Sequence, residues 1–338
     1  MDTLVGLQGE QGRKALAIAN APRRDDGFFG PGSVSWRIYE NPVVIAMAGL
    51  AGSVAAMLDP VGAAGVGQHS TYMSDVYGRV RRSNAMFMAM VYGDTTTALK
   101  TGRDLFRRHS HVNGVEPATG QPYRANQIEA LLFTYLAGFP CLIESYRKYS
   151  GEILTEQDER EFWGEQHVLV ELLGIPRDAV PRTPEQVYAW LDDAEQHTMA
   201  YTRPAQELVE FFMNPPAAPA IMGLVGTTRI NKIVGTAVFS TLRPGMRAVC
   251  GIPEQPRRFA VADALVRRAA TLARTAPVDR TIVPFFGYEG WGYKANGLRH
   301  SPGTGRQSLD PNWAIDLQHG KGGTLGPNAD RPGKAATK

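Results

Sequence analysis

The chain has 338 residues, 43% of them hydrophobic and 20% charged, with 36 Lys and Arg against 33 Asp and Glu for a formal charge of +3. Ample apolar content at low net charge excludes a disordered chain, and so small an excess of bases, spread along the sequence, gives no electrostatic footprint for nucleic acid. The anomaly is 36 glycines and 23 prolines, above the roughly 12% of an average chain.

The N-terminus, MDTLVGLQGEQGRKALAIANAP, holds no apolar run of signal-peptide length, and the two cysteines, Cys141 and Cys250, form no CxxC pair. Both features point to a reducing, cytoplasmic setting without a disulfide framework or zinc ribbon. Residues 42–58, PVVIAMAGLAGSVAAML, carry no charge. They read as a buried helix in which Gly49, Gly52 and Ser53 permit close packing, with membrane contact as the weaker alternative and no stable insertion expected. Helices are then expected at about 76–91, 95–112 and 126–149, the last kinked at Pro140. Thr155 with Asp158 caps a helix that stops at Gly174, and Thr183, Pro184 and Gln186 form a capping box with proline in the first turn. Helical patterns follow at 203–213, 217–241 and 257–275. Alternating strands are hard to find and no internal repeat is visible.

Pro and Gly punctuate joints at Gly30-Pro31-Gly32, Pro215-Pro216 and Pro244-Gly245. The final 38 residues hold seven Gly and four Pro without an apolar period. The expected organisation is all-α: an N-terminal extension over 1–29, one multi-helix domain over 30–295, and an irregular tail over 296–338 with Trp313 and Ile315 as candidate anchors.

For chemistry, the seven histidines stand at 69, 109, 111, 167, 197, 300 and 319. The EQH triplets at Glu165–His167 and Glu195–His197 place carboxylate and imidazole two apart, off a common helical face, so they do not match a di-iron helix. HExxH, Walker, GxSxG and GxGxxG motifs are absent. The densest segment runs from Gln68 to Tyr123. On a helix, Arg79, Arg82 and Ser83 share one face, which Met86 and Met90 continue. An arginine on a mostly buried helix needs an acceptor, which is either a carboxylate such as Asp75 or Asp104, a carbonyl, or the propionate of a bound cofactor. His109 and His111 close the next helix, as cations on its dipole or with one of them as an iron ligand. His69 reads first as a hydrogen-bonded structural residue and second as a further ligand.

In order along the chain, GPGSVSW at 30–36, HS at 69–70, DVYGRVRRS at 75–83, YGD at 92–94, RRHSHVNG at 107–114 and TGQPYRA at 119–125 form a series. SYRKYSGEILTEQDEREFWGEQ, LLGIP at 172–176 and PRTPEQVYAWL at 181–191 extend it. Over roughly residues 30–255 this series resembles the haem-dependent oxygenase family of the latex clearing proteins and MpaB. The resemblance implies an all-α fold enclosing a b-type haem, with His109 of an H-x-x-V-x-G pattern ending at Gly114 as the iron ligand. O2, the co-substrate, would bind opposite that histidine and be polarised by Arg79, beside Ser83, which stands where a threonine is expected. Arg82, His69 and Met86 are the further candidates for cofactor contact. Substrates of the family are apolar, so an alkene-bearing isoprenoid or another natural product is implied, oxidised by cleavage, hydroxylation, desaturation or a peroxide-driven step, with room for an electron donor. Two departures stand out: Tyr135 occupies the place of a family histidine, and Asn126-Gln127-Ile128 replaces an Asp-Pro helix start. The competing reading is a haem or apolar-ligand binding protein without turnover.

Overall fold

A computed structural model of the chain describes residues 9–215, 227–274 and 287–320. Among these residues the backbone forms fifteen α-helices and one two-stranded antiparallel hairpin, so the all-α class holds. α1 (Gly9–Ala19) and α2 (Val34–Tyr39) precede α3 (Pro42–Ala56) and α4 (Pro60–His69). α5 (Val76–Tyr92) and α6 (Thr95–His109) lead into β1 (Asn113–Val115) and β2 (Pro122–Arg124). There follow α7 (Ile128–Tyr149), α8 (Glu156–Leu172), α9 (Pro184–His197), α10 (Arg203–Met213), α11 (Thr227–Thr241), α12 (Pro244–Val249), α13 (Pro256–Ala273), α14 (Tyr288–His300) and α15 (Trp313–Gln318).

The uncharged run becomes the central helix. Asn41 caps α3 by accepting from the Val43 and Val44 N–H groups, and Pro42 takes the first-turn position where its missing N–H costs nothing. α3 packs along α7 and also meets α5, α11 and α13. The small residues allow this: a Cβ on Gly52 would meet Gly138 of α7 at 3.5 Å, and one on Gly49 would lie 2.7 Å from both Val80 and Asn84 of α5. Among the described helices only α7 is by itself long and apolar enough to cross a membrane, and two-thirds of its apolar window is buried against neighbours. α7 also runs through Pro140 without ending there.

Cap chemistry sets several boundaries. Thr155 and Asp158 form both halves of a capping box on α8, and Gly174, at φ +89°, turns the chain after it. At α9, Thr183 accepts from the Gln186 N–H, but the Gln186 side chain takes the Arg182 N–H at 2.7 Å, one residue outside the expected box. α6 stops at His109 rather than near 112, because the chain turns there into β1. α11 covers the later part of the helix expected at 217–241; residues 216–226 lie outside the described ones, as does 275 beyond α13.

The expected boundary at 295/296 falls inside α14. α1 lies along α14, and Gly292 permits the approach, since a Cβ there would stand 2.8 Å from the Ala15 carbonyl oxygen. The segment after α14 returns to buried Asp26, whose carboxylate accepts from Ser301 Oγ at 2.5 Å and the Gly305 N–H at 2.9 Å. Gln307 N–H donates to the Gly27 carbonyl at 2.8 Å. Trp313 is buried and anchors α15, whereas Ile315 is 42% exposed and does not. Gln318 Nε2 then donates to the Gly174 and Asn126 carbonyls. Residues 321–338 of the expected tail lie outside the described ones.

Candidate active site

α5 and α6 each start on an aspartate that accepts a backbone N–H: Asp75 from Gly78 at 2.8 Å and Asp94 from Thr97 at 2.9 Å. These caps fix Arg79 in the first turn of α5 and His109 at the last residue of α6. Arg79 reaches back to the end of α4, where its Nη1 donates to Ser70 Oγ at 2.6 Å. The guanidinium is partly buried, and burial first, then the charge of Arg82, lowers its pKa. Guanidinium nevertheless stays charged in proteins. Among the described residues no carboxylate pairs with it, so a neutral hydroxyl is the acceptor that holds this desolvated cation.

His109 is its counterpart. The ring Nδ1 is shielded from solvent and has no hydrogen-bond partner. Burial, and after it the positive charge of Arg79, pushes the imidazole below its ordinary 6.5, so it is neutral at neutral pH and retains a lone pair for a metal. Arg79 and His109 therefore share one electrostatic environment between α5 and the end of α6.

The frame around His109 comes from three further elements. Gln68 Nε2 donates to the Val115 carbonyl, and Tyr123 Oη donates to Gln68 Oε1, both at 2.9 Å, so the hairpin is clamped onto α4. Gly114 sits inside that clamp: a Cβ would stand 2.5 Å from Gln68 Oε1 and 2.9 Å from Tyr123 Oη. Asn126 Nδ2 donates to the Phe106 carbonyl at 2.8 Å, tying the approach to α7 onto α6.

The other candidates lie elsewhere. The core side of α5 includes Val76, Val80, Asn84 and Met88, so Arg79, Arg82 and Ser83 turn away from it, whereas the same stripe ends in the core at fully buried Met90. Ser83 and Arg82 are exposed, and Arg82 pairs with Asp75 at 3.1 Å, the carboxylate alternative of the sequence reading. Asp104 pairs with Lys100 and Arg107. Met86 is partly buried against the core. His69 is exposed, with Nε2 2.9 Å from the Asn113 carbonyl oxygen, a structural contact to the hairpin; His111 is exposed. Ser70 is the residue the sequence reading missed: the HS pair drew attention to its histidine, while the serine touches Arg79. Tyr135 is buried against Phe139 and Trp163, and its hydroxyl has no partner.

The EQH triplets have structural work. Glu165 accepts from the Ser35 N–H at 2.8 Å and pairs with Arg306 at 2.8 Å, and His197 lies 3.0 Å from Asp193. Among the described residues no three His, Cys, Asp or Glu side chains cluster as a metal site. A haem brings four nitrogen donors of its own and needs one imidazole, so the lone, unpartnered His109 fits that group. A cavity of about 230 Å³ lined by Arg37, Tyr146, Arg274 and Trp291 lies at the C-terminal end of α7, away from this site.

The family model described as ER-bound oxygenase mpaB/B′/rubber oxygenase, catalytic domain, matches residues 36–275. The chain belongs to this family. No curated protein and no solved structure matches it. The mpaB/rubber oxygenase domain, an oxygenase catalytic domain, spans from α2 to just past α13 and contains Arg79 and His109. α1, α14 and α15 fall outside the match, although α14 packs on α5.

Proposed function

We propose that this chain is a haem-dependent oxygenase of an apolar substrate, with His109 holding the iron of a b-type haem and Arg79 providing the charge beside the oxygen site. The observation that carries the reading is the pairing of a neutral imidazole whose shielded Nδ1 has no partner with a half-buried guanidinium that has no carboxylate among the described residues. Each is an expensive arrangement in a bare protein, and both are resolved by one cofactor that needs a nitrogen donor and attracts a cation to its oxygen chemistry.

When bound, the haem supplies dioxygen activation and electron transfer, and the chain supplies ligation, placement and field. His109 stays neutral because it is partly buried and faces a cation. Arg79, held by Ser70, would supply a fixed positive charge to the oxygen chemistry of the bound group, worth more the less water reaches it. Ser83, exposed on the outer side of α5, is assigned the orienting of a water on the family resemblance alone. The apolar α3 and the later part of α5 keep water from the interior. The substrate class we assign is an alkene-bearing isoprenoid or similar natural product, served by an electron donor in a reducing, cytoplasmic setting.

A binder of haem or of an apolar ligand, without turnover, is the second reading, and Arg79 speaks against it because storage requires no half-buried cation beside the ligand histidine. The two separate in one experiment. Arg79→Ala retains haem while oxygen consumption falls about 100-fold, the size of effect seen when a preorganised donor to developing negative charge is removed. Equal rates in both proteins support the binder.

A further inference from the structure

α13 presents a face that no described part of the chain covers. Its inner side, Ala262, Val266, Ala270 and Ala273, is buried where the helix meets α11, α7 and α3. On the outer side Val261, Leu265 and Leu272 are 63%, 42% and 61% exposed. At about 100° per residue these three lie within a sector of about 40°, in a line along the helix. Arg257, Arg258 and Arg268 flank that line, and Arg267 lies farther round the helix on the side toward α7, all four exposed. Arg258 donates to the Gln255 side chain and Arg267 to the Lys148 carbonyl, and none of the four is ion-paired among the described residues. The single acidic residue of α13, Asp263, is turned inward, accepting from Tyr149 Oη at 2.8 Å and Ser240 Oγ at 2.7 Å. The exposed face is therefore apolar and purely cationic. At the C-terminal end Arg274, on the side of α13 away from that line, pairs with Glu152.

Large side chains in a straight exposed line flanked by arginines suit the boundary between water and acyl chains, where the apolar stripe enters and the cations meet phosphate. Unneutralised arginines select an anionic occupant. The face is one side of a single helix, and a planar surface fits such a line of side chains best. We propose that α13 docks the protein peripherally on an anionic lipid surface, with Val261, Leu265 and Leu272 at the level of the upper acyl chains. The docking is independent of the haem site and brings an apolar oxygenase substrate's natural solvent to the protein.

The test is co-sedimentation of the full-length protein, as purified, with phosphatidylcholine vesicles and with vesicles in which about 30% of the lipid is phosphatidylserine. The proposal expects binding to the anionic vesicles only, weakened by salt. Arg257→Gln/Arg258→Gln/Arg268→Gln should lower that partitioning about 100-fold, roughly fivefold per arginine. Leu265→Ser/Leu272→Ser should lower it while leaving the salt dependence unchanged. If the leucine variant loses its fold by circular dichroism, the arginine variant, altered only at exposed positions, carries the test alone. Equal binding to both vesicle types, or unchanged binding by the arginine variant, overturns the proposal. So does failure of the parent protein to bind anionic vesicles, and a dimer dissociated by Leu272→Ser would in that case identify the face as a subunit interface.

Discussion

Replacing Gly114 with alanine tests the clamp that positions the chain after His109. The added Cβ would stand 2.5 Å from Gln68 Oε1, 2.9 Å from Tyr123 Oη and 3.1 Å from Tyr123 Cε1. Tyr123 is buried and has little room, whereas Gln68 is exposed and can swing away. Its departure breaks two bonds, to the Val115 carbonyl and from Tyr123 Oη. At about 0.5–1.5 kcal/mol net for each, and toward the lower half for bonds open to water, the loss is about 1–2 kcal/mol. Crowding against the Tyr123 ring brings the expected total to about 2 kcal/mol, read from chemical denaturation. The cause is isolated by a double-mutant cycle. Gln68→Ala alone forfeits the same two bonds, so Gly114→Ala made on top of it should cost less than about 1 kcal/mol, with the coupling expected of residues in contact. Additive effects, with Gly114→Ala costing its full amount in both backgrounds, refute the clamp.

The pH dependence follows from the imidazoles. Burial first, with Arg79 at His109 and Arg177 at His167, holds both below the ordinary 6.5, so the unfolded chain takes up more protons than the folded one as pH falls past that value. Unfolding free energy should thus be full above about 6.5 and decline toward pH 5, with His167→Gln removing part of the slope; a flat profile between those limits contradicts the shifts. At Asp26, burial raises the pKa, but the Ser301 hydroxyl and Gly305 N–H outweigh it and hold the carboxylate below its usual range. Asp26→Ala removes a charged acceptor from both, at about 2–3 kcal/mol, and should expose Arg306 to trypsin; an unchanged digestion pattern means the segment after α14 is held by other contacts.

Fold and site were legible in the sequence to different depths. Helices that begin on side-chain caps, such as Thr155 before α8 and Thr183 before α9, were readable because the cap is local chemistry. α4 was not: PVGAAGVGQH has three glycines and no periodic face, and it is helical because Asp59 caps it and Gly65 fits under Tyr123 and Val112. The same holds for α14, where Gly292 and Gly297 look like breakers yet serve close approach to Ala15, Trp36 and Tyr92. Glycine marks a joint or a tight contact, and only the partner element decides which. The hairpin pairs just three residues per strand, too few for an alternating pattern to emerge. In the site, helical spacing correctly put Arg79, Arg82, Ser83 and Met86 on one face, but it could not say which way that face turns. Packing of Val80 and Asn84 toward α3 turns its first part outward, leaving Arg82 and Ser83 in water and Arg79 half covered by α4, while Met90 at its far end is fully buried.

Haem content and the ferric and ferrous spectra of the purified chain, beside those of His109→Ala, test the central claim most directly. The account predicts stoichiometric haem with the spectrum of a histidine ligand in the parent protein, and loss of haem or a changed ligand-field spectrum in the variant. A chain that contains no haem and takes none up, or a His109→Ala protein with full haem and an unaltered spectrum, contradicts it.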